Sequence, residues 1–285
     1  MDFSWETATS AVIDSFRDTP DRRLREIMES AVRHLHDFVR EVKPTMAEWN
    51  AAVEFVTALG KTCTDTRQEV ILFSDVLGVS MMVETLNGQQ EGTESTVLGP
   101  FHLTESPARA LGDSIDLMNG PDQCVVSGRV LGSDGTPLPG AEIDVWQCNE
   151  EGFYDVQQPD VQPAGNGRGL FHADAEGRYW FRSVVPSHYP IPTDGPVGVL
   201  LEKANRHPFR PAHVHFIVRA EGHEEVTTHA FVRNSPYVES DAVFAVKRSL
   251  LTDFAVKRDE ATAKRFGVAA PFTHAEVDFV LQRKP

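Results

Sequence analysis

Cysteine is scarce in this sequence. There are three in 285 residues, Cys63, Cys124 and Cys148, odd in number and widely spaced. That pattern argues against a disulfide framework and against a thiolate metal site. Clustered basic residues are lacking too. The formal net charge is −15 and no run of lysine and arginine appears, which argues against a nucleic-acid partner. No stretch approaches the roughly 20 consecutive apolar residues that a membrane span requires, so no membrane insertion is expected. The start, Met1 to Glu6, has neither a basic leader nor the apolar core of a signal peptide, and the cytoplasm is the expected location. Internal repeats and low-complexity segments are absent.

What is present is an ordinary globular composition, 41% hydrophobic and 24% charged, in a chain long enough for one large or two modest domains. The first part reads as helical. Leu24, Ile27, Met28, Ala31, Val32, Leu35, Phe38 and Val39 fall three and four apart and form one apolar stripe. Pro44 stops that helix, and Thr45 with Glu48 forms a capping box for the next. Met46, Trp49, Val53 and Val56 give the second helix its own stripe, with a stop expected at Gly60. A third helix is expected from about Arg67 to Leu86, ending at Asn87-Gly88. These stripes suit a domain core, and they also suit a dimer contact. Residues 1–88 are therefore expected to form a helical, dimerising domain.

Residues 89–120 are rich in Gly, Ser, Thr and Pro and read as a connector contributing to a ligand pocket. From 121 to 285 the period changes to two. Ile143 and Val145 alternate with Glu142 and Asp144, and turn signals recur at Gly132–Gly135, Pro137–Gly140, Gly152, Glu176-Gly177 and Asp194–Pro196. Short strands punctuated this way predict a β-sandwich. The expected fold class is α+β, mainly β: a helical N-terminal domain followed by an antiparallel β-sandwich carrying the chemistry. The stretch 241–258 reads as helical or mixed.

The segment Arg210-Pro-Ala-His213-Val-His215 carries the most chemical information. On a strand, residues two apart share a face, so His213 and His215 would sit side by side as paired imidazole ligands. Two surface histidines would produce the same local pattern. Tyrosines lie in turn-like settings, Gly152-Phe-Tyr154-Asp155 and Pro186-Ser-His-Tyr189-Pro190. A phenol, with a pKa near ~10, becomes a ligand only when a strong Lewis acid takes its proton. As hard oxygen donors, two phenolates favour iron(III); either tyrosine alone could equally be a packed hydroxyl. Gly165–Gly169 is glycine-rich but lacks phosphate-loop spacing and reads as a hairpin. Cys148 beside Trp146 reads as a small buried residue.

These motifs occur together in a recognisable order. The chain resembles the intradiol ring-cleavage dioxygenases over nearly its whole length. The resemblance is carried by Arg67–Gly78, Thr96–Phe101, Gly128–Val130, Gly135–Trp146, Asn149–Asp155, Arg178–Arg182, Pro190–Pro192 and Arg210–His215. It implies a non-haem iron(III) held by Tyr154, Tyr189, His213 and His215, with Tyr154 and His213 equatorial, and no organic cofactor. Tyr189 would act as a base when substrate binds, and Arg210 would stabilise negative charge on the activated ring.

Where catechol-cleaving members carry glutamine, this chain has His229. That departure, with Thr96–His102, Tyr189–Pro196 and Ser240–Phe244, is similar to the hydroxyquinol-cleaving branch. By the same resemblance Leu72, Asp75, Val97, Leu98, Gly99, Pro100, Phe101, Ile191, Pro192, Arg210 and Val243 would line the substrate pocket, Asp75 meeting the third ring hydroxyl. The implied reactants are an aromatic diol or triol and dioxygen. Catechol or chlorocatechol cleavage is the alternative within the family. The resemblance also implies a homodimer through the N-terminal helices, able to hold a phospholipid. A non-enzymatic alternative is a prealbumin-like spacer or binding module, which Gly128–Trp146 also resembles.

Overall fold

The computed structural model describes residues 3–64, 67–89, 91–102, 106–120 and 123–285. Residues 90 and 103–105 of the expected connector, and 121–122 at the start of the strand region, lie outside those described. Two compact units divide the chain, Met1–Ala58 and Leu59–Pro285.

The first unit begins with α1 (Ala8–Asp14) and α2 (Arg22–Val42). Asp21 caps α2 by accepting from Leu24 N at 3.0 Å, and Lys43 ends it at φ 50 before Pro44. The predicted box is present: Thr45 Oγ1 accepts from Glu48 N at 3.3 Å and Glu48 accepts from Thr45 N at 2.7 Å. It opens α3 (Met46–Thr62), which runs through Gly60 instead of stopping there. A glycine inside a helix costs only about 1 kcal/mol, so the flanking turns carry it through.

The expected third helix is two, α4 (Glu69–Val76) and α5 (Val79–Asn87). Gly78, at φ +71, breaks them apart, a conformation that side chains other than glycine's rarely adopt. Both helices belong to the second compact unit, with the strands.

Two sheets follow. One has the order β10 (Ala255–Lys257), β11 (Phe272–Glu276), β1 (Gln123–Gly132), β12 (Phe279–Leu281), with β4 (Arg178–Val184) also on β1. The other runs β3 (Arg168–His172), β2 (Glu142–Trp146), β7 (His213–Arg219), β8 (Val226–Val232), β9 (Leu251–Thr252). One core cluster joins them: Val126, Val130, Phe181, Phe279 and Leu281 from the first meet Ile143, Val145, Phe171, Val214, Phe216 and Val218 from the second. The sandwich is thus as expected, but its strand directions are mixed. β1 pairs parallel with β11 and β12, and β8 parallel with β9. Parallel neighbours need a long crossover, and residues 133–271 intervene between β1 and the first of the two C-terminal strands.

Within 241–258 the structure has no α-helix: a 3-10 turn (Arg248–Leu250) leads into β9 and β10, and the helix comes later, α7 (Glu260–Phe266). Among the described residues, no helix is long and apolar enough to cross a membrane.

Candidate metal centre

Alternation on β7 decides where the site lies. Val214, Phe216 and Val218 point into the sandwich core, so His213 and His215 must face the opposite side of the sheet. That side is not solvent. Loops cover it, and a second apolar cluster of Trp146, Cys148, Tyr154, Tyr189 and Ile217 packs there with Phe101 against it. Both histidines are buried. Trp146, the register partner of His215 on β2, stacks on its ring at 4.6 Å and 11°.

Each tyrosine is delivered by its own local device. Asn149 Oδ1 accepts from Glu151 N and Phe153 N, and Tyr154 N donates to Gln157 Oε1 at 2.9 Å. This side-chain-built turn aims Tyr154 inward. Asp155, next in the chain, is pinned by buried Arg168 at 2.7 Å and by Gly165 N at 2.9 Å. The glycine-rich stretch thus serves as the turn before β3 and an anchor for Asp155. Tyr189 lies on β5 (Tyr189–Pro190), which pairs with β6 (Phe209–Arg210) in the register Tyr189↔Arg210. That two-strand ribbon sets phenol beside guanidinium, and the chain enters β7 three residues later.

Four donor atoms converge. Tyr154 Oη lies 3.2 Å from Tyr189 Oη, Tyr189 Oη 3.4 Å from His213 Nε2, and His213 Nε2 3.1 Å from His215 Nε2. Neighbouring ligands on one ion with bonds of about 2.1 Å stand about 3 Å apart. The His213 Nδ1 sits 2.7 Å from the Pro211 carbonyl. An Nδ1–H donated there leaves the Nε2 lone pair free, the state a metal ligand needs. All four candidate ligands are therefore brought together with their donor atoms facing one point.

The electrostatics agree. Burial holds His213 and His215 well below the usual imidazole range, helped by Arg210 for the first and by His229 and His213 for the second. Both imidazoles are thus neutral and able to donate a lone pair. Burial pushes Tyr154 well above the usual phenol range, the neighbouring Tyr189 adding to it, and raises Tyr189 despite the opposing Arg210. Without a bound cation these phenols keep their protons; a strong Lewis acid at the convergence point is what removes them. The donor set of two imidazoles and two phenols, with no carboxylate among the four, fits a hard trivalent ion better than zinc or calcium.

Arg210 is buried and points Nη1 at His213 Nε2, 3.3 Å away. Its other face pairs with Asp241 at 3.2 Å. Burial works against its charge, but Asp241 more than restores it. Asp241 also accepts from Val243 N and Ala245 N, fixing the loop that carries Val243. Reading the sequence assigned Asp241 no role. A buried arginine implies a carboxylate, yet nothing local says which one the fold supplies.

The other candidate residues divide. Leu72, Pro100, Phe101 and Pro192 line a cavity of about 360 Å³ together with Val156, Gln157 and a rim of Arg67, Glu69 and Asp194. Phe101 stacks on Tyr154 at 4.6 Å, so this cavity adjoins the donor cluster. Gly99 packs on His215: a Cβ there would lie 3.0 Å from Cε1, and φ is +77. Val97, Ile191 and Val243 are buried, whereas Leu98 is 44% exposed; none of these four is among the cavity's lining residues. Asp75 is buried, its Oδ1 has no hydrogen-bond partner among the described residues, and burial raises its pKa. His229 is buried next to the cluster: one nitrogen of each of His213, His215 and His229 lies within 4.8 Å of the others.

A sandwich sheet with buried imidazoles and phenols aimed at one point is the architecture of a mononuclear metal enzyme, for which a spacer module has no use. Comparison with known proteins gives the family. Residues 102–283 match the family described as dioxygenase, and residues 21–94 the catechol dioxygenase N terminus. A hydroxyquinol 1,2-dioxygenase from Rhizobium sp. (strain MTP-10005) is 50% identical over 284 residues, 99% of this chain and 96% of that protein. A 6-chlorohydroxyquinol 1,2-dioxygenase from Cupriavidus pinatubonensis is 47% identical over 91% of this chain and 94% of its own. Among solved structures, hydroxyquinol 1,2-dioxygenase from Pseudomonas putida DLL-E4 superposes with a TM-score of 0.91 at 44% identity, covering 98% of this chain and 99% of that one. The chain belongs to the intradiol ring-cleavage dioxygenases, a family of non-haem iron enzymes.

Proposed function

We propose that this enzyme opens hydroxyquinol (1,2,4-trihydroxybenzene) between its adjacent hydroxylated carbons, adding both atoms of dioxygen to give 3-hydroxy-cis,cis-muconate, the enol form of maleylacetate. The observation that carries this reading is the convergence of Tyr154, Tyr189, His213 and His215 beside Arg210. The names of the relatives at 50% and 47% identity support the branch.

The four converging residues would hold iron(III), whose chemistry when bound would be that of a Lewis acid and template for the diol. Tyr189, a phenolate only when the ion is bound, would then be the base: its Oη, next to Tyr154 Oη and His213 Nε2, would take a proton from the diol. Arg210 remains charged and, held by Asp241, directs Nη1 at the place where negative charge develops. Leu72, Pro100, Phe101 and Pro192 wall the cavity against water; Val97, Gly99, Ile191 and Val243 are assigned to the layer behind them and Leu98 to the mouth. Asp75, whose pKa burial raises, offers the third hydroxyl of a triol a buried carboxyl whose Oδ1 has no other partner among the described residues.

We assign the helical region 1–88 to dimerisation, its α4 also walling the pocket through Leu72, and 121–285 to catalysis, with 89–120 as the connecting pocket wall. The apolar residues exposed along α2 support a homodimer, and we assign a bound phospholipid to the same apolar surface. The cytoplasm is the location that fits a soluble catabolic enzyme of this kind.

Catechol and chlorocatechol are the competing substrates. Oxygen uptake with hydroxyquinol, catechol and 4-chlorocatechol separates them: kcat/KM should be highest for hydroxyquinol, and a higher value for catechol overturns the assignment. The iron-loaded protein should be red from tyrosinate-to-iron charge transfer. A colourless protein, inactive after iron is added, overturns the metal assignment.

A further inference from the structure

His229 stands on β8 directly across from His215 in the strand register. Its ring lies 4.1 Å from His215 and 4.8 Å from His213, centroid to centroid, and stacks on Phe231. It is fully buried, and its Nε2 has no partner among the described residues. The other nitrogen is engaged: Nδ1 hydrogen-bonds to Thr96 Oγ1. Thr96 begins the segment Thr96–Phe101, which forms one wall over the donor cluster. Through Gly99 that wall rests on His215, and through Phe101 it stacks on Tyr154.

Two backbone-directed bonds fasten the start of this segment, and the residue two before it, to the same strand. Thr96 N donates to Thr227 O at 2.8 Å, and Thr228 Oγ1 donates to Glu94 O at 2.7 Å. The His229–Thr96 bond is the one of the three made between two side chains, so it alone depends on which residue stands at 229. We infer that His229 is a positioning residue for substrate specificity: through Thr96 it sets how closely the wall Val97–Phe101 approaches the donor cluster, and so how much room the ring is given. This rests on the ring-cleavage reading above. It assigns His229 neither as a ligand nor as a proton carrier.

The chemistry of the side chain makes the inference testable. Nδ1 is bonded to Cγ, as is the amide end of asparagine, whereas a glutamine amide lies one bond further out, where Nε2 is. Asparagine at 229 can therefore keep the bond to Thr96, and glutamine overshoots it. A triol, with one more substituent at the ring edge, is more sensitive to the wall than a diol.

The experiment is anaerobic titration of the iron-loaded enzyme with hydroxyquinol and with catechol, reading binding from the shift of the charge-transfer band. His229→Gln and Thr96→Val should each lower the hydroxyquinol-to-catechol binding ratio about tenfold, the worth of one buried hydrogen bond. His229→Asn should restore it to within about twofold, and His229→Gln with Thr96→Val should be no worse than either alone. Iron content and band intensity should be unchanged throughout. If Thr96→Val leaves the ratio untouched while His229→Gln alters it, or if the two effects simply add, the inference is overturned. If neither hydroxyquinol nor catechol perturbs the band of the unaltered enzyme, the ring-cleavage reading has failed instead. Amide hydrogen exchange across 96–101 then tests the anchor by itself: faster exchange in Thr96→Val supports it, and unchanged exchange overturns it.

Discussion

Helix α2 and the outer face of β7 invert the usual rule of what a protein hides. On α2, Leu35 is 63% exposed and Phe38 57%, with Leu24, Ile27, Val39 and Val42 also in the open. On β7, His213 and His215 are fully buried, and buried Tyr154, Tyr189 and Arg210 join them. Each apolar side chain left in water forgoes about 1.5–3 kcal/mol of burial. Each polar one buried costs a comparable amount unless it is paired. A fold tolerates both only where something outside the single chain settles the account. On the proposed reading α2 is covered by an apolar partner, and β7 by a cation on which the four donor atoms converge.

The sharpest way to break this comparison is to remove a donor. Tyr154→Phe should abolish the charge-transfer band and ring cleavage together, because the phenolate is a ligand in the proposed set. A variant that kept its colour and turned over normally would reduce the cluster to a buried polar core. Next in size is Arg210→Ala. Loss of one preorganised charge facing the reacting ring should lower kcat by about 10²–10³, with iron content and colour retained. Loss of iron in that variant would mean that Arg210 builds the site instead of acting in it.

On the other side of the comparison, Phe38→Glu should shift the protein from dimer to monomer in sedimentation while leaving the band intact. A dimer that survived charges at both Leu35 and Phe38 would remove the stated reason for the exposed stripe.

The sequence made some of this legible and withheld the rest for physical reasons. Local rules sufficed for the Thr45–Glu48 box and the α2 stripe, and for the shared face of His213 and His215. The break at Gly78 was missed because hydrophobic spacing runs through it; only the backbone sign of φ separates α4 from α5. Parallel pairing of β1 with β11 and β12 was missed because strand pattern carries no direction. For the site, neither tyrosine stood out from a packed hydroxyl on its own, and the order of motifs supplied what spacing could not. Asp241, Arg168 and Thr96 were invisible in their roles. Each acts through a partner 13 or more positions away, Arg168 on Asp155, Asp241 on Arg210 and Thr96 on His229. Such pairings exist only once the sheets have closed.

The smallest effect is a pH dependence that separates the metal-free from the loaded protein. Burial holds His213, His215 and His229 well below the usual value of 6.5, so the folded metal-free protein keeps them neutral. Below that value the unfolded chain takes up protons at these positions and the folded one does not, which means that stability falls as pH falls. Asp75, raised by burial from 3.8, opposes this as a single acid against three imidazoles. The Tm of metal-free protein should therefore drop between pH 7 and pH 5.5. In the iron-loaded protein the drop should be steeper and should already show above pH 7, because unfolding releases the ion and returns protons to Tyr154 and Tyr189 as well as to the histidines. Equal profiles for the two forms would mean that no metal holds Tyr154 and Tyr189 as phenolates, and the buried half of the comparison would lose its cation.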